Sequence, residues 1–158
     1  MTRVGITGHQ RLPNSTRTRV SAAIEAALRS LCAIEGISSL AEGADQVFAQ
    51  TVLDRGGRLI AVIPSAGYSE SFETAAAEAD YWALRSQAEQ IVELPFSSPT
   101  EEAYWAAGKE IVARSDVLYA VWDGKPSGGL GGTADVVAFA AERGVATSVL
   151  WPAGSTRE

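Results

Sequence analysis

The chain has 158 residues, 46% of them apolar and 20% charged, with 13 basic against 19 acidic side chains and a net charge of −6. This composition fits one globular domain with a proper core and excludes a disordered chain. No stretch approaches the roughly 18 apolar residues that span a bilayer, one cysteine excludes an internal disulfide, and one histidine excludes a multi-histidine metal centre.

Strand and helix signals alternate along the chain. Arg3–Thr7 is a short apolar run that ends in the turn Gly8-His9-Gln10-Arg11-Leu12-Pro13. Asn14 or Ser15 can cap a helix to about Cys32, with Val20, Ile24, Leu28 and Leu31 on one face. Cys32 then falls on the apolar stripe as a buried small hydrophobe. Ile37–Ala41 reads as the second strand, and Glu42-Gly43-Ala44-Asp45 turns into a helix carrying Phe48 and Val52. Arg58–Ile63 is a buried third strand, stopped by Pro64. A helix follows from Phe72 to about Ala88, then a strand at Gln90–Leu94. Ser98-Pro99-Thr100-Glu101 has capping-box spacing with proline at the first helical position, starting a helix to Arg114. Asp116–Trp122 is the fifth strand, Thr133–Arg143 the last helix and Val145–Trp151 the last strand.

Apolar strands alternating with helices predict a single-domain, doubly wound α/β fold: a mainly parallel sheet with helices on both faces, Rossmann-like. Residues 1–152 form that domain and 153–158 a loose tail. Met1-Thr2-Arg3-Val4-Gly5 reads as a strand start rather than a signal peptide, so a cytoplasmic location is expected. The acidic balance, with no basic cluster beyond Arg17–Arg19, predicts no nucleic-acid partner and no membrane partner. A small anionic ligand stays open, because a few local donors can hold one.

Ligands of open α/β sheets sit beyond the carboxyl ends of the strands. Gly128-Gly129-Leu130-Gly131-Gly132-Thr133 lies there, between a strand and a helix start. Backbone N–H groups at a helix N-terminus, with the helix dipole, make a phosphate site. Gly129, Gly131, Gly132 and Thr133 are therefore candidate phosphate ligands, the alternative being a flexible loop with Thr133 as a plain cap. Walker A and GxGxxG patterns are both absent, which disfavours ATP hydrolysis and a dinucleotide oxidoreductase. Gly8, His9 and Arg11 form a second candidate group. His9 is either a ligand donor or a hydrogen-bonded turn residue, and Arg11 either a ligand donor or solvated. Gly43 lines the same cleft. Asp45 is either a first-turn acid or a contact to a ribose hydroxyl or base. Asp123 ends the fifth strand, and Lys125 either neutralises a phosphate or is solvated at the surface. Asp135, beside the phosphate loop, is either a carboxylate that orients a water or stabilises a developing cation, or a first-turn acid serving the helix dipole; Glu42 ends the second strand, where a dinucleotide fold has its ribose-binding acid. Trp122 lies next to the glycine loop, either near a base or in the core. No metal is expected and no cofactor required beyond a nucleotide ligand.

VGITGHQRLP, LAEGADQVFA and SDVLYAVWDGKPSGGLGGTADVVAFA, in that order, resemble the SLOG superfamily. This Rossmann-like group contains the lonely-guy proteins, the DNA-processing protein A core and the molybdenum-cofactor carriers. The resemblance implies a nucleotide or nucleotide-derived ligand, with phosphate on Gly131, Gly132 and Thr133, and it implies homodimers or higher homo-oligomers. The helix around Tyr81, Trp82 and Leu84 offers apolar surface for such a partner. Lonely-guy enzymes carry Pro-Gly-Gly-x-Gly-Thr-x-x-Glu and cleave the N-glycosidic bond of nucleoside 5′-monophosphates. Here the proline is missing and Val136 stands where the glutamate belongs. The family's arginine before the fifth strand is matched by Arg114 or Lys109. The chain therefore looks closer to a stand-alone binding branch. The alternative is a nucleotide N-glycosidase with Asp135 or Glu42 as its carboxylate and Arg11 or Lys125 on the phosphate.

Overall fold

In the computed structural model, which describes residues 1–157, Arg58–Ile63 forms a central strand because both of its faces are covered. Leu59, Ala61 and Ile63 pack in one core cluster with Leu40, Tyr81 and Leu84, whereas Ile60 and Val62 pack in another with Ile111, Val112 and Val136. Alternation of side chains along an extended backbone produces this division.

The described elements, in chain order, are β1 (Thr2–Gly8), α1 (Asn14–Leu28), β2 (Ile34–Ser38), α2 (Ala44–Asp54), β3 (Arg58–Ile63), α3 (Ala75–Ser86), β4 (Gln90–Glu93), α4 (Glu101–Arg114), β5 (Val117–Val121), α5 (Thr133–Glu142) and β6 (Ala146–Val149). The sheet order is β4-β3-β2-β1-β5-β6, and every pairing is parallel. Helices α1, α2 and α3 cover one face, and α4 and α5 the other. This is the doubly wound, single-domain α/β fold that the alternation predicts. Among the described residues no helix is long and apolar enough to cross a membrane.

Several boundaries differ from the sequence reading. Helix α1 begins at Asn14 after Pro13, without a side-chain cap, and ends at Leu28. Cys32 therefore sits in the following turn and is exposed. Strand β2 starts three residues earlier than expected. Helix α4 is capped by Thr100, whose Oγ1 accepts from the Ala103 N–H at 3.2 Å, so the cap is not Ser98. A 3-10 turn, Tyr68–Ser71, precedes α3, and Thr74 caps α3. Tyr81 and Leu84 of α3 are buried in this chain's own core, which leaves Trp82 as the exposed aromatic of that helix.

The strand order reverses at β1. Its sequence neighbour β2 lies on one side and β5 on the other, with Gly8 opposite Val121 at the carboxyl edge. Connections leave in opposite directions there, and the crevice between them is the ligand position that this topology offers.

Candidate functional site

A cleft of about 230 Å³ opens at that crevice. The end of β1 supplies Gly8, the loop after it His9, and the N-terminus of α2 Asp45. The loop after β5 supplies Trp122, Lys125 and Ser127, and the start of α5 supplies Gly131, Gly132, Thr133 and Ala134. Tyr68 and Tyr104 close the side toward β3, and Arg157 reaches in from the segment after β6.

The wall formed by the loop after β2 is held by an unusual backbone. Leu40 is fully buried at φ 59°, a conformation that side-chain-bearing residues seldom adopt. Its N–H donates to Ser38 Oγ at 3.0 Å, and its carbonyl accepts from Gln46 Nε2 at 3.2 Å. These bonds fix the chain just before Asp45. The Asp45 carboxylate is buried and accepts from the Ala41 N–H at 3.3 Å. Burial disfavours its charge and pushes its pKa up to about 7, with the Ala41 hydrogen bond opposing the shift. Tyr68 lies close to it. Burial, then the nearby Asp45 charge, raise the Tyr68 phenol well above its ordinary range.

At the start of α5 the glycines serve close packing. Gly131 has φ 82°, and a Cβ there would lie 2.8 Å from the Trp105 backbone nitrogen in α4. A Cβ on Gly132 would lie 2.7 Å from Ser127 Oγ. The Gly131 N–H donates to Asp135 Oδ2 at 3.0 Å, and the Asp135 N–H to Ser127 Oγ at 3.3 Å. Asp135 thus caps its own loop. The N–H groups of Thr133 and Ala134 belong to the first helical turn and have no intrahelical acceptor; both residues line the cleft.

The mouth of the cleft holds a charged cluster. His9 is buried, with its ring perpendicular to that of Trp151 at a centroid distance of 5.4 Å. Its Nε2 lies 3.3 Å from Asp123 Oδ1 and 3.1 Å from the Asp123 backbone nitrogen. Its Nδ1 lies 2.9 Å from an Arg157 guanidinium nitrogen, and Arg157 Nε is 3.1 Å from Asp123 Oδ2. Burial, then the Arg157 charge, lower the His9 pKa against the pull of Asp123, so the ring is neutral at physiological pH. Burial raises the Asp123 pKa, but the Lys125 N–H, His9 and Arg157 together outweigh it and hold the carboxylate ionised.

Of the residues singled out from sequence, Gly8, His9, Asp45, Lys125, Gly131, Gly132 and Thr133 share this cleft. Asp123 stands behind His9 and Arg157. Arg11 and Glu42 line a smaller neighbouring pocket of about 70 Å³, where Arg11 pairs with Glu73 and Glu42 accepts from Thr74. Gly43 is wedged beneath the peptide of Gln10, and Gly129 packs against Glu101. Trp122 lines the cleft and donates from its indole N–H to the Lys125 carbonyl at 2.8 Å. Sequence reasoning missed Arg157, Tyr68, Tyr104 and Ser127. Ser127 directly precedes the glycine loop and Tyr68 lies in the loop after β3, so the topology brings both to this edge, whereas Arg157 and Tyr104 arrive by the packing of distant segments that no local pattern marks.

No protein-family model matches the chain, and no curated protein sequence matches it. Solved structures do. The DNA processing protein A of Helicobacter pylori, which binds single-stranded DNA, superposes with a TM-score of 0.71 at 16% identity, over 99% of this chain and 68% of its own. That of Streptococcus pneumoniae gives 0.68 at 18% identity, over 94% of this chain and 50% of its own. The molybdenum cofactor carrier protein of Chlamydomonas reinhardtii gives 0.57 at 15% identity, over 94% and 75%. The chain shares the fold of these proteins, and it spans 68% and 50% of the length of the two DNA-processing proteins.

The exclusion of nucleic acid, drawn from net charge, does not stand: a protein of this fold binds single-stranded DNA. Net charge averages over the whole surface, whereas recognition depends on the local field. Here two cations, Lys125 and Arg157, face one cleft in a chain of net charge −6.

Proposed function

We propose that this protein binds a nucleotide or nucleotide-derived ligand in the switch-point cleft, with its phosphate at the N-terminus of α5. The observation that carries this reading is the convergence of the first turn of α5 with Lys125 on one cleft. A helix start offers N–H groups and a partial positive charge to an anion, and Lys125 adds a full one. The cleft is smaller than the roughly 300–1,000 Å³ of sites that enclose drug-sized ligands. It matches a phosphate and sugar better than an enclosed dinucleotide. The Chlamydomonas neighbour, a cofactor carrier, also supports ligand binding at this fold.

A thermal melt against nucleoside mono- and diphosphates and a short single-stranded oligodeoxynucleotide tests this. The oligonucleotide belongs in the panel because the H. pylori protein binds single-stranded DNA. A ligand at about 100 times its Kd adds roughly 2.7 kcal/mol. For a domain of this size that raises Tm by roughly 5–11 °C. Lys125→Ala is expected to reduce the shift. No shift with any member of the panel defeats the reading.

One observation favours a second reading, N-glycosidic cleavage. Asp135 is engaged with Gly131 and Glu42 lies in the neighbouring pocket, but Asp45 lines the cleft with a pKa near neutrality, suited to a general acid or base. If the protein releases free base from nucleoside 5′-monophosphates, Asp45→Asn is expected to abolish the release. Release that survives this substitution removes Asp45 from the chemistry.

A further inference from the structure

We infer that Arg157 is the ligand-responsive cation of this cleft: it leaves His9 and Asp123 to pair with an anionic phosphate group. The inference rests on the reading that an anion enters the cleft, and adds which residue meets it.

The segment after β6 is placed by specific contacts. The Thr156 N–H donates to the buried Thr16 Oγ1 at 2.8 Å, and Arg19 donates to the Gly154 carbonyl. Trp151 packs perpendicular to the His9 ring. Together these carry Arg157 across α1 to the cleft mouth. Its side chain stays 41% exposed, so it is not locked in the interior.

Its present contacts use only part of its donor set. A guanidinium has five N–H donors and no acceptor. One nitrogen meets His9 Nδ1 at 2.9 Å, and Nε meets Asp123 Oδ2 at 3.1 Å. His9 Nε2 lies 3.1 Å from the Asp123 backbone nitrogen and 3.3 Å from Asp123 Oδ1, so His9 and Asp123 hold each other without Arg157. A phosphate offers the guanidinium a bidentate acceptor with full charge, which is the stronger geometry for it.

Charge bookkeeping at the mouth points the same way. Lys125 and Arg157 line the cleft against the ionised Asp123 at its mouth and Asp45, whose pKa lies near 7. Without Arg157, Lys125 stands alone against these carboxyl groups.

The single histidine makes the test direct. The His9 ring signal is followed by NMR through a pH titration in the wild type, Arg157→Gln and Arg157→Lys. The two variants change a half-exposed side chain and are expected to fold. In Arg157→Gln the His9 pKa is expected to rise, because a neighbouring cation has gone. Binding of AMP and of inorganic phosphate is then measured by calorimetry. Arg157→Gln is expected to weaken AMP roughly 10- to 100-fold, as for loss of a charge-assisted hydrogen bond, with Arg157→Lys in between. Equal AMP affinity in wild type and Arg157→Gln overturns this inference and leaves the binding function standing. An unmoved His9 titration in Arg157→Gln also overturns it, because the contact it starts from is then absent. If neither AMP nor phosphate binds the wild type, this inference falls, and the nucleotide panel decides separately whether the binding function falls with it.

Discussion

Gly43→Ala is expected to destabilise the protein by about 3–5 kcal/mol, lowering Tm by roughly 6–20 °C for a domain of this size. Gly43 sits at φ 88° and ψ −129°, immediately before α2. An added Cβ would lie 2.2 Å from the Gln10 carbonyl oxygen and 2.6 Å from that of His9. Both obstacles are backbone, so neither can rotate away. Two penalties combine, an unfavourable backbone conformation of about 1–3 kcal/mol and overpacking of similar size. The Ala44 N–H donates to the His9 carbonyl at 3.2 Å, so relief of the clash also separates the loop after β1 from α2. That junction carries His9 and Asp45, and ligand binding is expected to fall with stability. Gly56→Ala is the control. It has φ 76° with nothing within 4 Å of the added Cβ, and only the backbone penalty of roughly 1–2 kcal/mol applies. Chemical denaturation of the two variants decides the matter; equal losses would show that the contact with the loop after β1 contributes nothing.

The same residues show what sequence can and cannot reveal. β3 is legible to the residue because Gly57 and Pro64 bracket Arg58 and the apolar run Leu59–Ile63. The sequence pattern starts β2 three residues late. Its first half is Ile34-Glu35-Gly36, where Glu35 pairs with Arg3 at 3.6 Å and Gly36 makes room for Phe48 and Val52. A charged residue and a glycine hide a strand until the neighbouring strand and helix are known. The apolar spacing carries α1 on to Cys32 because no glycine or proline marks its end. Leu31 continues the apolar spacing but packs against the core from a turn, with its N–H on the Leu28 carbonyl at 3.0 Å. The position of the cleft followed from topology, since a parallel sheet wound from β1 in two directions has one reversal point. The composition of the cleft was only partly legible. Gly131, Gly132, Thr133 and Lys125 form a local pattern, whereas Arg157 meets His9 and Asp123 across 148 and 34 positions of sequence.

Asp45 is expected to make stability fall as pH rises from about 4 to 7, opposite to the usual behaviour of a carboxylate. In the unfolded chain its pKa lies near 3.8, and in the fold it is pushed up to about 7. Between these values the folded protein holds a proton that the unfolded chain has released. Protonation therefore favours folding in this window, and the penalty of ionising Asp45 is fully present above pH 7. A difference of about 3 units corresponds to roughly 4 kcal/mol. Asp123 acts in the reverse sense. Its pKa is lowered, so its contribution is present above the unfolded value and lost as pH falls through the folded one. The wild-type curve contains both, and Asp45→Asn separates them. The asparagine keeps the side-chain oxygen that accepts from the Ala41 N–H and never ionises. The stability of Asp45→Asn relative to wild type is expected to be greatest at pH 8 and to diminish by about 3–4 kcal/mol by pH 4.5. Any fixed difference from the amide's own hydrogen bonding cancels in that comparison. A gap that does not change with pH would mean that Asp45 titrates normally and is ionised throughout. The expected pH dependence bears on the cleft as well as the fold: near neutrality a substantial fraction of molecules present a neutral carboxyl there, able to donate a hydrogen bond that an ionised one cannot. Folding alone would be served better by a neutral residue in this place.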